Sequence, residues 1–117
     1  MSDFQHITLN EVGDITVVHF LDSRIIEDIA IQQLGTELFS LVETDGRKKI
    51  VLNFSAVNFM SSSALSKLIN LHKKTLANGG SLKLSNISPE IREIFTITNL
   101  HRLFDIRKDE ADAIAAF

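Results

Sequence analysis

Hydrophobic and polar positions alternate near the N-terminus of the chain and then change to a helical spacing. Two alternating segments, His6 to Val12 and Ile15 to Phe20, flank the turn residues Gly13-Asp14, and this arrangement predicts a β-hairpin. From about Glu27 to Asp45, apolar side chains recur every three or four residues. That spacing predicts a helix with one apolar face.

A nearly continuous apolar run follows this helix and extends from Ile50 to Phe59. Its first part, Ile50 to Phe54, has the composition of a strand that is covered on both faces. After Ser61-Ser62-Ser63, apolar residues return at helical spacing from near Ala64, and Asn78-Gly79-Gly80 predicts the end of that helix. The three serines are therefore expected where a strand leads into a helix.

The rest of the chain continues the alternation of strands and helices. Ser81 to Ile87 predicts a strand, and Ser88-Pro89-Glu90 predicts a helix start because Pro needs no N–H at the first helical position. A short strand at Phe104 to Ile106 and a weakly amphipathic segment from Asp109 to Phe117 follow. The order β-β-α-β-α-β-α-β-α requires right-handed crossovers between parallel neighbours. It predicts one α/β domain over residues 1–117, a mixed and mostly parallel sheet with about four helices packed on it.

The loops that leave the carboxyl ends of parallel strands gather at one edge of a sheet, where ligands and partners usually bind. Three loops are expected there: Asp22-Ser23-Arg24, Asn58 to Ser63 and Asn86-Ile87-Ser88. The first backbone N–H groups of a helix lack intrahelical acceptors and carry partial positive charge, which stabilises serine side chains and stabilises phosphate more strongly. The serine triplet is therefore suited to a reversible switch that acts through charge.

The composition of the chain excludes several classes of partner and of binding site. The chain has 117 residues, 44% of them hydrophobic and 23% charged, as in an ordinary folded domain. Its net charge is -3, and its 12 Lys and Arg residues are dispersed, which argues against nucleic acid as a partner. The absence of cysteine excludes disulfides and thiolate metal sites and makes a cytoplasmic location the default expectation. No segment approaches the roughly 18 apolar residues of a membrane span, and no leader pattern is seen, so no direct membrane insertion is expected.

Catalysis and metal binding are not predicted. A serine nucleophile needs a base with an orienting partner, and the strand-to-helix turn lacks the G-x-S-x-G form that exposes such a serine. The acidic pairs Glu27-Asp28 and Asp109-Glu110 resemble charges at helix ends. None of the histidines is spaced as a metal ligand pair; they are His6, His19, His72 and His101. We therefore expect no catalytic residue, no cofactor and no metal.

The segment Val51-Leu52-Asn53-Phe54-Ser55-Ala56-Val57-Asn58-Phe59-Met60-Ser61-Ser62-Ser63-Ala64-Leu65 resembles the signature of the STAS domain, the fold of the bacterial anti-sigma factor antagonists. In that family an apolar strand leads through an apolar turn into D-S-S/T-G-L at a helix start, and the first Ser after the Asp is phosphorylated. The matching position is Ser62. The resemblance covers nearly the whole chain in element order and length.

The resemblance implies a partner-switching mechanism. The unphosphorylated protein would bind an anti-sigma factor that is also a Ser/Thr protein kinase, releasing a sigma factor, and phosphorylation of Ser62 by that kinase would dissociate the pair. Arg24 would pair with the phosphate if its loop lies beside Ser62. The residues expected to contact the partner are Asp22, Ser23, Arg24, Asn58, Ser61 and Ser63.

The chain departs from the family pattern at two positions, and other interpretations remain open. Ser61 stands where the family has an acidic residue, and Ala64 stands where it has Gly. Both are compatible with a regular helix start, since Ser61 can still cap it. The serines alternatively serve only as a cap in a constitutive adaptor or scaffold, or the domain is an accessory subunit of a membrane transport complex, as some STAS-like domains are. No feature of the sequence specifies an oligomeric state.

Overall fold

The computed structural model describes residues 4–117; residues 1–3 of the predicted domain lie outside this range. The elements in chain order are β1 (Ile7–Val12), β2 (Ile15–Phe20), β3 (Arg24–Ile25), α1 (Asp28–Glu43), β4 (Lys49–Asn53), β5 (Phe59–Met60), α2 (Ser62–Ala77), β6 (Ser81–Ser85), α3 (Pro89–Ile97), a 3-10 turn (Leu100–Arg102), β7 (Asp105–Arg107) and α4 (Glu110–Ala115).

The main sheet has five strands in the order β1-β2-β4-β6-β7. β1 and β2 form the predicted antiparallel hairpin, and Gly13 supplies the positive φ of 62° that its turn requires. The strands β2, β4, β6 and β7 are parallel neighbours. These features confirm the prediction of a mixed, mostly parallel sheet with four helices packed on it.

The two faces of the sheet are covered unequally. On one face, α1, α2 and α3 pack over a continuous apolar core in which Phe54 and Phe95 are among the largest fully buried side chains. The other face carries α4 and a small separate apolar cluster of Ile15, Val17, Val51 and Ala113. The candidate loops follow strands whose positions are fixed mainly by the larger core.

The strand predicted at Ile50 to Phe54 corresponds to β4, but the apolar run beyond it to Phe59 does not continue in the main sheet. β4 ends at Asn53, and the Phe54 N–H then donates to the Ser85 carbonyl oxygen at 2.9 Å. The chain turns out of the main sheet, and β5 pairs with β3 in a separate two-stranded parallel sheet. The following helix α2 begins at Ser62 rather than near Ala64.

Candidate functional site

The small sheet formed by β3 and β5 brings two of the three predicted loops together. The Ser23 carbonyl oxygen accepts hydrogen bonds from the N–H groups of Asn58 at 2.7 Å and Phe59 at 3.2 Å. The Ile25 carbonyl oxygen accepts one from the Ser61 N–H at 3.0 Å. Backbone bonds are insensitive to side-chain identity, so this contact fixes the position of the loop around Ser23 relative to the start of α2.

The serine triplet forms the first turn of α2. Ser61 is the N-cap residue, and its side chain accepts a hydrogen bond from the Ala64 N–H at 3.3 Å. Ser62 and Ser63 are exposed, and within residues 4–117 their backbone N–H groups donate to no other protein group. The first turn of α2 carries no acidic side chain. Ser62 therefore presents its hydroxyl to solvent at the positive end of a helix dipole.

Several large apolar side chains that are close in sequence to the Asp22–Arg24 loop or to the serine triplet are unusually exposed. Ile29, in the first turn of α1, is 75% exposed. Three further large apolar side chains on or beside the small sheet are also exposed, namely Leu21, Ile26 and Phe59. Single exposed apolar residues are ordinary, whereas larger exposed apolar patches commonly mark interaction sites.

Arg24 contacts Phe59 rather than an acidic group. Its guanidinium carbon lies 5.5 Å from the centroid of the Phe59 ring, a distance suited to a cation–π interaction. Among the residues described, Arg24 forms no ion pair with a carboxylate. The guanidinium is thus held against Phe59 at the edge of the small sheet.

Asp22 makes its contact with the N-terminal segment. Its carboxylate oxygen lies 2.6 Å from His6 Nδ1, and no hydrogen bond joins it to the serine triplet. No local pattern in the sequence predicts this pair, because the two residues are 16 positions apart. The hairpin register places the two residues near each other, since the Leu21 N–H donates to the His6 carbonyl oxygen at 2.9 Å.

The third predicted loop, Asn86-Ile87-Ser88, contributes indirectly. The Ser88 side chain accepts a hydrogen bond from the Ile91 N–H at 3.2 Å and so caps α3, and α3 in turn contacts β5. No hydrogen bond links this loop to the serine triplet within residues 4–117. The loop therefore supports the small sheet through α3.

Residues 4–117 contain no cluster of three or more His, Cys, Asp or Glu side chains arranged to hold a metal ion. None of the helices in that range has both the length and the apolar composition needed to cross a membrane.

The sequence pattern of the STAS domain matches residues 6–113. The chain belongs to the STAS domain family. BtrV of Bordetella bronchiseptica, described as a candidate anti-sigma factor antagonist, is 27% identical to it over 93 residues, which cover 80% of this chain and 79% of BtrV. The anti-sigma-B factor antagonist of Bacillus subtilis is 34% identical over 73 residues, covering 62% of this chain and 65% of that protein. Both of these relatives of the STAS domain are thus named for antagonism of an anti-sigma factor.

Solved structures share the fold of this STAS domain. An anti-sigma factor antagonist from Mycobacterium paratuberculosis has a TM-score of 0.81 at 22% identity, covering 94% of this chain and 91% of the other. Phosphorylated SpoIIAA of Bacillus has a TM-score of 0.70 at 22% identity, covering 94% and 97%. The murine anion transporter Slc26a9 gives 0.75 at 14% identity, covering 91% of this chain but 18% of the transporter. The same fold thus occurs in free regulators and within a transport protein.

Proposed function

We propose that this STAS domain is a regulatory module of the anti-sigma factor antagonist type. Its partner is an anti-sigma factor that is also a Ser/Thr kinase, and phosphorylation of Ser62 by that kinase ends the interaction. The observation that carries the proposal is the exposed Ser62 hydroxyl, placed directly after the capping Ser61 and beside the two loops joined by β3 and β5. The relatives named as anti-sigma factor antagonists supply the partner class.

The surface around Ser62 suits a switch that acts on the interface rather than on the fold. A phosphoserine adds a charge of about -1.5 to -2. The N–H groups of Ser62 and Ser63 and the positive helix end favour that charge, so α2 keeps its structure. An exposed apolar side chain close to the site, such as Phe59 on β5, can be covered by a partner only if nearby charges are desolvated. A phosphate at its edge raises the free energy of the complex far more than that of the free protein.

The departure from the family pattern at Ser61 is compatible with this role. An acidic residue at the N-cap would cap the helix but would also place a negative charge next to the phosphate. Ser61 retains the cap through its bond to Ala64 N–H and adds no such repulsion. The phosphorylated form is therefore expected to tolerate Ser61 well.

The first test is to identify the phosphorylated residue. Protein isolated from its own host, or incubated with its cognate kinase and ATP, is expected to gain one phosphate in an intact-mass measurement, with peptide mapping to Ser62. Ser62→Ala should abolish the added mass. Ser66→Ala is the matched control, because its side chain is exposed on the same helix, and it should be phosphorylated as the parent is. If Ser62→Ala takes up phosphate like the parent, the assignment of Ser62 is wrong.

The same site is tested for its effect on binding. Ser62→Glu should weaken partner binding tenfold or more, about 1.4 kcal/mol, because it places a charge at the interface. Ser66→Glu, one turn further along α2, adds the same charge away from the first turn and should change affinity much less. Equal effects of the two variants would contradict a site-specific switch, and no effect of Ser62→Glu would favour the constitutive adaptor.

The transport alternative predicts a different partner. The fold shared with Slc26a9 is the observation in its favour. Affinity purification of the full chain from host membranes and from the soluble fraction separates the two proposals. Recovery of a kinase-type anti-sigma factor supports the regulatory module, whereas stoichiometric recovery of a transport subunit supports the alternative.

A further inference from the structure

His6 lies at the junction of the N-terminal hairpin and the loop that leads to β3. It precedes β1 by one residue, and its carbonyl oxygen accepts the Leu21 N–H at 2.9 Å, which extends the hairpin ladder by one pair. The imidazole is mostly enclosed, with 13% of the side chain exposed. Because its backbone is held by the hairpin, the ring has little freedom to leave its neighbours.

Both ring nitrogens face oxygen acceptors. Nδ1 lies 2.6 Å from an Asp22 carboxylate oxygen, and Nε2 lies 2.8 Å from Gln33 Oε1. The other acidic group from α1 is Glu37, whose two carboxylate oxygens accept the N–H groups of Gln5 and His6, each at 3.0 Å. Within residues 4–117, the groups that contact the ring therefore come from the β2–β3 loop and from α1, and none of these is a cation.

This environment favours the doubly protonated imidazolium. A neutral ring carries one N–H and leaves its second nitrogen facing an oxygen, whereas the imidazolium donates to both acceptors. The pKa of His6 is raised above its ordinary 6.5 by the hydrogen bond with Gln33, by the bond and charge of Asp22 and by the charge of Glu37, against the opposing effect of burial.

The contact is connected to the proposed binding surface through the backbone. Asp22 is followed by Ser23, whose carbonyl oxygen accepts the N–H groups of Asn58 and Phe59. That segment continues directly into Ser61 and the start of α2. Anything that fastens or releases Asp22 therefore acts on the segment that carries the proposed partner surface.

We propose that His6 is a positioning residue, which in its imidazolium form fastens the Asp22–Arg24 loop against α1 and so preorganises the partner surface beside Ser62. This regulation rests on the proposed function, although the coupling between His6 and the loop does not. The contact of the His6 imidazolium with the Asp22–Arg24 loop is fully formed below the pKa of an unperturbed histidine. It is lost as the pH rises through the raised pKa of His6. Partner binding is accordingly strongest at mildly acidic pH and weakens above it.

The first experiment uses the full chain without a partner. An NMR pH titration should give a midpoint for the His6 ring above about 6.5, and the amide signals of Asn58 and Phe59 should shift with the same midpoint. His6→Gln should remove that titration from both amides. His101→Gln is the matched control, because His101 is exposed in the 3-10 turn, and it should leave the amide titration intact. Asp22→Asn gives a second check, since it should lower the His6 midpoint.

Amides of Asn58 and Phe59 that do not follow His6, or that titrate unchanged in His6→Gln, would overturn the coupling. If His6→Gln does not fold, an unchanged His6 midpoint in Asp22→Asn overturns it equally. These outcomes are independent of any partner.

The second experiment measures affinity for the kinase-type partner across the same pH range. The parent and His101→Gln should lose about three- to tenfold in affinity as His6 deprotonates, which corresponds to the net contribution of one typical hydrogen bond. His6→Gln should bind with a flat pH profile over that range. If the affinity of the parent does not change with pH, the proposed role of His6 is contradicted. If the parent binds no such partner at any pH, the proposed function is contradicted, and the amide titration alone then tests the coupling of His6 to the loop.

Discussion

Gly80 lies where the loop after α2 passes the chain segment that enters β4. A Cβ added at Gly80 would lie 2.3 Å from the Lys48 carbonyl oxygen and 2.7 Å from the Lys48 Cα. The next residue, Ser81, donates its N–H to that same carbonyl oxygen at 2.7 Å. The obstacle is backbone, which cannot swing aside as a flexible side chain can, so β4 and β6 can align here only with glycine.

Gly80→Ala is therefore expected to lower the free energy of unfolding by about 3 kcal/mol, the upper part of the range for overpacking. Gly46→Ala is the matched control. Gly46 also lies in a loop and has a positive φ of 64°, but a Cβ there meets nothing within 4 Å, so only backbone strain of about 1 kcal/mol is expected. Urea denaturation of both variants gives the comparison, and equal losses would contradict the steric explanation.

Sequence patterns identify single residues well when local chemistry decides their role. Ser61 as a helix cap and Asn78-Gly79-Gly80 as a helix end follow from neighbouring residues alone. The close approach of Gly80 to Lys48 and the contact of His6 with Asp22 join segments that are distant in the chain. No local pattern carries that information, which is why these contacts require the structure.

At the scale of elements, the N-terminus of α2 links stability to the candidate site. Ser61→Ala removes the bond to the Ala64 N–H and is expected to cost about 1 kcal/mol of stability. It should also loosen the first turn that presents Ser62, so that phosphorylation by the cognate kinase becomes slower. Denaturation with urea and initial rates of phosphate incorporation measure the two effects.

Ser88→Ala is the matched control for Ser61→Ala. Ser88 caps α3 through an equivalent bond to the Ile91 N–H at 3.2 Å, so Ser88→Ala should lose a similar amount of stability. The phosphorylation rate of Ser88→Ala should nevertheless match that of the parent. A similar slowing in both variants would show that the phosphorylation rate depends on general stability. An unchanged phosphorylation rate in Ser61→Ala would show that the helix cap does not affect the phosphorylation site.

The elements themselves differ in how far their sequences predict them. The hairpin, α1 and α2 are long enough to show a period, and the patterns predict them with boundaries close to those observed. The strands β3 and β5 have two residues each, too few for any period. Their pairing also joins Arg24 to Phe59 across α1 and β4. The element that brings the two site loops together is thus the one that periodicity cannot reveal.

At the scale of the whole molecule, the sheet separates a large core from a small one. The serine site depends on the large core, which contains Ile25, Met60 and Leu65 from its two loops and from α2. The α4 segment belongs to the small cluster on the opposite face. It is attached partly by polar contacts: the Asn53 side-chain amide donates to Glu110 at 2.9 Å, and the Lys83 ammonium lies 4.8 Å from the Phe117 ring centroid. The sequence predicts a helical tail but not the face that it covers.

A chain ending at Lys108 is therefore expected to fold and to keep the Ser62 site. It loses the burial of Ala113 and the partial burial of Ile114 and Phe117, a loss of about 2–4 kcal/mol by the usual value of buried apolar side chains. Circular dichroism with urea denaturation measures the stability, and the cognate kinase measures the site, with the rate corrected for the folded fraction. The full chain with Glu110→Gln keeps the apolar contacts of α4 and should lose much less stability. The two cores share only the sheet between them, so the Ser62 site should not depend on α4. A truncated chain that folds but is no longer phosphorylated on Ser62 would contradict this independence and show that α4 acts on the site through the sheet.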